Sequence, residues 1–170
     1  MNKLLAIALL FCLTGSGAWT PSALEQDSAQ AAGADSEPLI TIKEEEALQI
    51  IVRSEDYAVV YALNQSQAAK ELYNQLPLTT TVENFSTNEK IFSPPEKVDT
   101  SDAPLADGTR GAGQLAYYEP WGDVVMFYGP FSQGSSLYGL GEAVSGQTSI
   151  EKLIGMLTVT AYHEGDSLHE

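Results

Sequence analysis

At 170 residues and 44% hydrophobic content, the chain is long enough for one ordinary domain with a real core and too short for several. Eight basic residues against twenty-three acidic ones give a formal net charge of -15. That balance excludes duplex DNA, RNA and anionic lipid as partners, because phosphate binding requires cationic neutralisation, and the single cysteine, Cys12, excludes an intramolecular disulfide and any cysteine-based metal site.

Lys3, the apolar run Leu4 to Leu13 and the small residues Ser16, Gly17 and Ala18 have the pattern of a secretory signal peptide. Residues 1–18 are therefore expected to be removed, leaving an exported product, periplasmic or secreted, with no membrane anchor. The alternative cleavage site Ala29-Gln30-Ala31 stands far from the apolar run, and the bulky Phe11 before Cys12 disfavours lipidation there. Residues 19–37 are rich in Ala, Ser, Gln and acidic residues without an apolar period, so they read as a flexible linker. The domain is expected over residues 38–163, and residues 164–170 form a polar tail expected to be disordered.

Leu39 to Ile42 alternates as a strand does, and Lys43 to Glu46 is a charged turn. Leu48 to Val52 and Tyr57 to Leu63 are β-branched and aromatic arms of a hairpin joined by Arg53 to Asp56. Asn64 or Ser66 can cap a short helix whose Ala68, Ala69, Leu72, Tyr73 and Leu76 share a face, with Pro77 as its stop. Leu78 to Phe85, with its threonine run, reads as a half-exposed strand, and Lys90 to Phe92 as a brief one.

Ser93 to Gly111 holds three prolines, several aspartates and no apolar period, so it is a long loop. The strongest local signal follows: Leu115 to Glu119 and Asp123 to Tyr128 are strand-like, and Pro120 and Gly122 supply the backbone angles of the bend between them. Leu137 to Val144 reads as a strand whose Gly139 and Gly141 permit close approach of other backbone. Thr148 and Glu151 match a capping box for a helix ended by Gly155, and Met156 to Tyr162 is a closing strand with Leu157, Val159 and Ala161 on one face. Short strands without a βαβ rhythm point to a mainly β, closed or nearly closed barrel.

The candidate ligand-binding residues are Arg110, Gln114, Tyr118, Trp121 and Phe131. Arg110 stands on the long loop, where a guanidinium can reach a carboxylate or carbonyl, or else pair with a loop aspartate. Trp121 at the hairpin tip, beside Tyr117, Tyr118 and Phe131, has the composition of a peptide or small-molecule groove. Alternation places Tyr117 and Tyr118 on opposite faces, so only one of them can join that site. The separation of Glu89 and Glu119 as a hydrolytic pair is unreadable from sequence and no further motif supports them, and Asp99, Asp102 and Asp107 as a calcium site lack the regular acidic ladder and bidentate glutamate of an EF-hand. No catalytic residue, metal or cofactor is assigned.

The segments QAAKELYNQLPLTTTVENF, NEKIF and GAGQLAYYEPWGDVVMFYGPFS, followed by a glycine-spaced strand and a closing helix and strand, resemble the small bacterial cyclophilin-like family over roughly residues 39–162. The resemblance implies a compact barrel of about eight strands with two short helices. It carries over the fold and not the prolyl isomerase activity of true cyclophilins, because their Phe-His-Arg type segment has no counterpart and neither Arg53 nor Arg110 sits in a matching motif. The expected function is non-enzymatic binding of a peptide or small ligand in a rim pocket near Trp121 and Arg110. The alternative is a divergent peptidyl-prolyl isomerase serving exported proteins.

Overall fold

The computed structural model describes residues 47–168. The expected signal peptide, linker, strand at Leu39 to Ile42 and turn at Lys43 to Glu46 all fall outside the described residues. The strands are β1 (Gln49–Arg53), β2 (Ala58–Leu63), β3 (Leu78–Thr81), β4 (Glu83–Phe85), β5 (Glu89–Phe92), β6 (Gln114–Tyr118), β7 (Asp123–Phe127), β8 (Leu137–Ser145) and β9 (Met156–Tyr162). One α-helix, α1 (Gln67–Asn74), and 3-10 turns at Gly108–Arg110 and Gln147–Lys152 complete the described domain.

All nine strands form one antiparallel sheet in the order β3-β9-β1-β2-β8-β6-β7-β5-β4. Its two end strands, β3 and β4, follow each other in the chain, so the sheet wraps into a nearly closed barrel with its seam at Val82. The sequence from Leu78 to Phe85 is thus two strands rather than one. Val82 donates instead to the Gly155 carbonyl at 2.9 Å, and its neighbours turn to different partners, β9 before it and β5 after it.

Alternation decides what goes inside. Ile50, Val52, Val59, Tyr61, Leu115, Tyr117, Val124 and Met126 fill the barrel and are almost wholly buried. Ala68, Ala69 and Leu72 of α1 close on that core, each fully buried, and a leucine so buried contributes about 1.5–3 kcal/mol. Ser66 is the cap that forms: its hydroxyl accepts from the Ala69 amide at 3.3 Å, while Asn64 receives the Ser66 hydroxyl at 2.6 Å.

The capping box at Thr148 does not form. Gly146 occupies the cap position with φ 74°, and no side chain caps the turn. A β-carbon at Gly146 would lie 2.2 Å from the Ala58 carbonyl oxygen, so the chain begins its turn there, two residues before Thr148. The turn stays 3-10, with Ser149 donating to the Gly146 carbonyl, and ends at Lys152 rather than Gly155. Ile150 and Leu153 still reach the core.

Candidate functional site

Strands β6 and β7 are mostly apolar on both faces, which a barrel wall facing water on its outside does not need. Leu115, Tyr117, Val124 and Met126 point inward, so Ala116, Tyr118, Val125, Phe127 and, by pairing with Val125, Ile91 point outward. These outward residues form a second apolar cluster, covered in part by Ala106, Phe131 and Leu137. What the cover leaves open is a groove of about 1030 Å³, at the upper end of the range for drug-sized ligands.

Ile91, Val125 and Phe127 line the groove, with Tyr118, Trp121 and Phe85 grouped around the hairpin tip. The Trp121 indole meets Phe85 and Tyr118 edge-on, each at 5.2 Å between centroids, and remains 56% exposed. Gly122 makes that tip possible, with φ 81° and its amide donating to the Tyr118 carbonyl at 2.9 Å. At the other end Phe131 stacks on Phe127 at 3.7 Å. The β4–β5 turn is tied to that end by two hydrogen bonds: Tyr128 N donates to the Asn88 carbonyl at 2.9 Å, and the Asn88 amide donates to the Pro130 carbonyl at 2.7 Å.

The charged residues lining the groove are acids, among them Glu89 and Asp123. Partial burial raises the Glu89 pKa above the ordinary glutamate value. Asp123 accepts from the Ser93 hydroxyl at 2.7 Å. No lysine or arginine lines the groove among the described residues.

Of the five candidate residues, the structure brings Tyr118, Trp121 and Phe131 together in this groove. It stands on the outer wall of the sheet and does not include Arg110. Arg110 and Gln114 line a separate cavity of about 400 Å³, formed with the end of β2, the glycines of β8 and the long loop. Arg110 pairs with Asp107 and Glu142, and these partners raise its pKa further. Tyr117 is inside the barrel, where its hydroxyl accepts from the Val98 amide at 3.3 Å.

The loop aspartates have separate structural duties. Asp102 accepts from the Gln67 amide at 3.0 Å at the start of α1, Asp99 accepts from Ser101, and Asp107 caps the 3-10 turn by accepting from Thr109. Hydrogen bonds from those serine and threonine groups hold the Asp99 and Asp107 pKa values below the ordinary range. Among the described residues, no group of three or more His, Cys, Asp or Glu side chains stands together as a metal site. Glu89 lines the groove, whereas Glu119 stands in the hairpin turn outside its lining.

Phe85, Ile91 and Phe127 are groove residues that sequence reasoning missed. The signal was present in Asp123 to Phe127, where Val124 and Met126 alternate with Val125 and Phe127, so that both faces demand cover.

A nearly closed antiparallel barrel with one short helix and a 3-10 turn packed on its core is a cyclophilin-like domain. A family model described as the Cyclophilin-like family matches residues 52–162, and the chain belongs to that family. The solution structure of a hypothetical protein from Archaeoglobus fulgidus is similar over 69% of this chain and 96% of its own, with a TM-score of 0.53 and 16% identity. That likeness shows a shared fold alone. A search of curated proteins finds no match.

Proposed function

We propose that this cyclophilin-like domain is an exported, non-enzymatic binding module that holds a peptide in the outer groove, with apolar side chains on Phe85, Tyr118 and Trp121 and a basic residue facing Glu89 and Asp123. The apolar lining of the groove carries this reading: Trp121 and Phe85 are exposed beside the buried Val125 and Phe127, and an exposed patch of that composition marks an interaction surface. The acidic lining selects the charge of the ligand, and the net charge of -15 steers in the same direction. Export rests on the signal-like pattern of residues 1–18. The isomerase alternative has less support, because Arg53 and Arg110 both stand away from the groove, one on the Ser167 carbonyl and the other in the second cavity.

Trp121 reports on its own site once Trp19→Phe removes the other indole. A blocked peptide carrying leucine, phenylalanine and lysine is expected to shift Trp121 emission saturably, and its glutamate counterpart to bind at least about tenfold more weakly, a difference of about 1.4 kcal/mol. Tyr118→Ala and Phe131→Ala are expected to weaken the basic peptide in the same assay. Emission unmoved by every apolar peptide would remove the proposal, and an accelerated X-Pro isomerisation in a protease-coupled assay would replace it with the isomerase reading.

A further inference from the structure

Two of the groove's aromatic rings stand directly opposite a carboxylate. The strand register pairs Tyr118 with Asp123 across β6 and β7, and Phe85 with Glu89 across β4 and β5. Directly paired residues share a face of the sheet with β-carbons about 4.5–5.5 Å apart, so each acid lies beside its ring on the groove side. The Trp121 indole links the two pairs: its centroid is 5.2 Å from either ring, and both ring planes stand nearly perpendicular to it, at 80° and 87°. The hairpin tip is thus one cluster of three rings with an acid on each side.

The cluster is open and its acids are not neutralised. Trp121 and Phe85 are 56% and 42% exposed, and both line the groove. The ion pairs of the described residues belong to Arg110 and His163, so neither Glu89 nor Asp123 has a cationic partner among them. Asp123 accepts from the Ser93 hydroxyl through Oδ1, and its Oδ2 has no hydrogen bond among the described residues. Such a site calls for a cation, and the rings decide which kind. A lysine ammonium is strongly hydrated and carries three N–H donors, for which aromatic faces supply no ordinary acceptor. A quaternary ammonium has no N–H to satisfy: its methyl groups pack on apolar rings, and its charge is attracted to a ring face within about 6 Å of the centroid.

We infer that Phe85, Tyr118 and Trp121, between Glu89 and Asp123, form a site for a trimethylammonium group, presented to the groove by a trimethylated lysine of a peptide. With the rings 5.2 Å apart, one cation of this size reaches more than one of them, and the two carboxylates act on its charge without needing a hydrogen bond. The groove of about 1030 Å³ is far larger than the cationic group alone, so the rest of the ligand has room beside Val125, Phe127 and Phe131. Delivery by a peptide rests on the function proposed above, whereas the cation site rests on the rings and acids alone.

Trp121 emission of the full chain carrying Trp19→Phe, at constant ionic strength, tests the cation site with choline against dimethylbutanol, which has the same shape with carbon in place of the charged nitrogen. Two peptides that differ only in trimethylation of one lysine test its source. Choline is expected to shift the emission saturably at millimolar concentration and dimethylbutanol to do so at least about fivefold more weakly, with the same advantage for the trimethylated peptide over the plain one. Tyr118→Leu keeps an apolar side chain without a π face and is expected to erase the preference for choline over dimethylbutanol, and Asp123→Asn to weaken choline alone. Choline binding no better than dimethylbutanol overturns the site even where the plain peptide binds, so this failure is separate from that of the peptide reading. Equal affinity of the two peptides overturns trimethyl-lysine as the ligand. Choline binding while no peptide binds upholds the cation site and removes the peptide. Both comparisons are made on the same folded protein, so poor folding of a variant leaves their outcome standing.

Discussion

A β-carbon on Gly108 would lie 2.2 Å from the carbonyl oxygen of Phe131, so the long loop and the segment that carries the groove's end wall touch backbone to backbone. Only glycine fits that contact, and the stacked rings of Phe127 and Phe131 lie directly beyond it. Gly108→Ala must push the two segments apart. It is expected to lower unfolding free energy by about 1–3 kcal/mol, as overpacking of close-packed structure does, and to weaken peptide binding in the groove. Urea denaturation read beside the Trp121 titration checks both, and an alanine variant of unchanged stability would show that the contact is not tight.

The two glycines of β8 give a sharper contrast. At Gly141 a β-carbon would lie 2.2 Å from the Ala62 carbonyl oxygen and 2.9 Å from the Leu63 α-carbon, both on β2. At Gly139 the nearest atoms, in Pro104 and Ala106, are 3.7 and 3.8 Å away, an ordinary contact. Gly141→Ala is therefore expected to cost about 2 kcal/mol or more. Gly139→Ala is expected to fall within about 1 kcal/mol of wild type, helped by the reduced freedom of its unfolded chain. Thermal melts of the pair decide it, and equal costs would contradict the packing of β8 on β2.

The same residues show what a sequence discloses. Alternation from Leu115 to Phe127 reveals the hairpin and puts Tyr117 and Tyr118 on opposite faces, because period two is a local property of a strand; the packing decides that Tyr117 is the inward one. The seam at Val82 was hidden, since Thr79, Thr80 and Thr81 suit a strand throughout and only the distant Gly155 carbonyl shows where pairing switches. The capping box at Thr148 failed for a similar reason: its fate was set by how near Gly146 passes to Ala58. The sequence groups Arg110 and Trp121 at one rim because a long loop and an aromatic hairpin tip are both places where ligand contacts concentrate. Ala106 instead packs beneath the loop and parts them, a burial that no local pattern around Pro104 announces.

Ser66 and Asp102 serve one helix end from two directions. Ser66 accepts from Ala69 N, and Asp102, from the long loop, accepts from Gln67 N at 3.0 Å. Ser66→Ala is expected to cost about 1 kcal/mol, and Asp102→Ala less because its carboxylate is exposed. They satisfy different amides, so the double variant is expected to lose about the sum, within ~0.5 kcal/mol. Chemical denaturation of the three variants measures this, and a double variant no worse than Ser66→Ala would mean that Asp102 anchors nothing.

Glu89 and Asp107 respond to pH in opposite senses. The Thr109 hydroxyl and amide hydrogen bonds hold Asp107 below the ordinary aspartate value of 3.8, so its contribution is present above that value and is lost as pH falls through the lower folded pKa. Partial burial raises Glu89 above the ordinary glutamate value of 4.5, so folding favours its protonated form; that contribution is complete below 4.5 and is lost as pH rises through the higher folded pKa. Glu89→Gln keeps the shape and removes the charge. Its melting temperature is expected to exceed that of wild type at neutral pH, with the advantage closing as pH falls through the raised folded pKa and gone below 4.5, and its affinity for the basic peptide is expected to drop at neutral pH. Melting curves across this range separate the burial effect from a packing change, because a gain that stays constant with pH has no origin in the carboxylate. Retained affinity for the basic peptide would show that Glu89 does not select the ligand's charge.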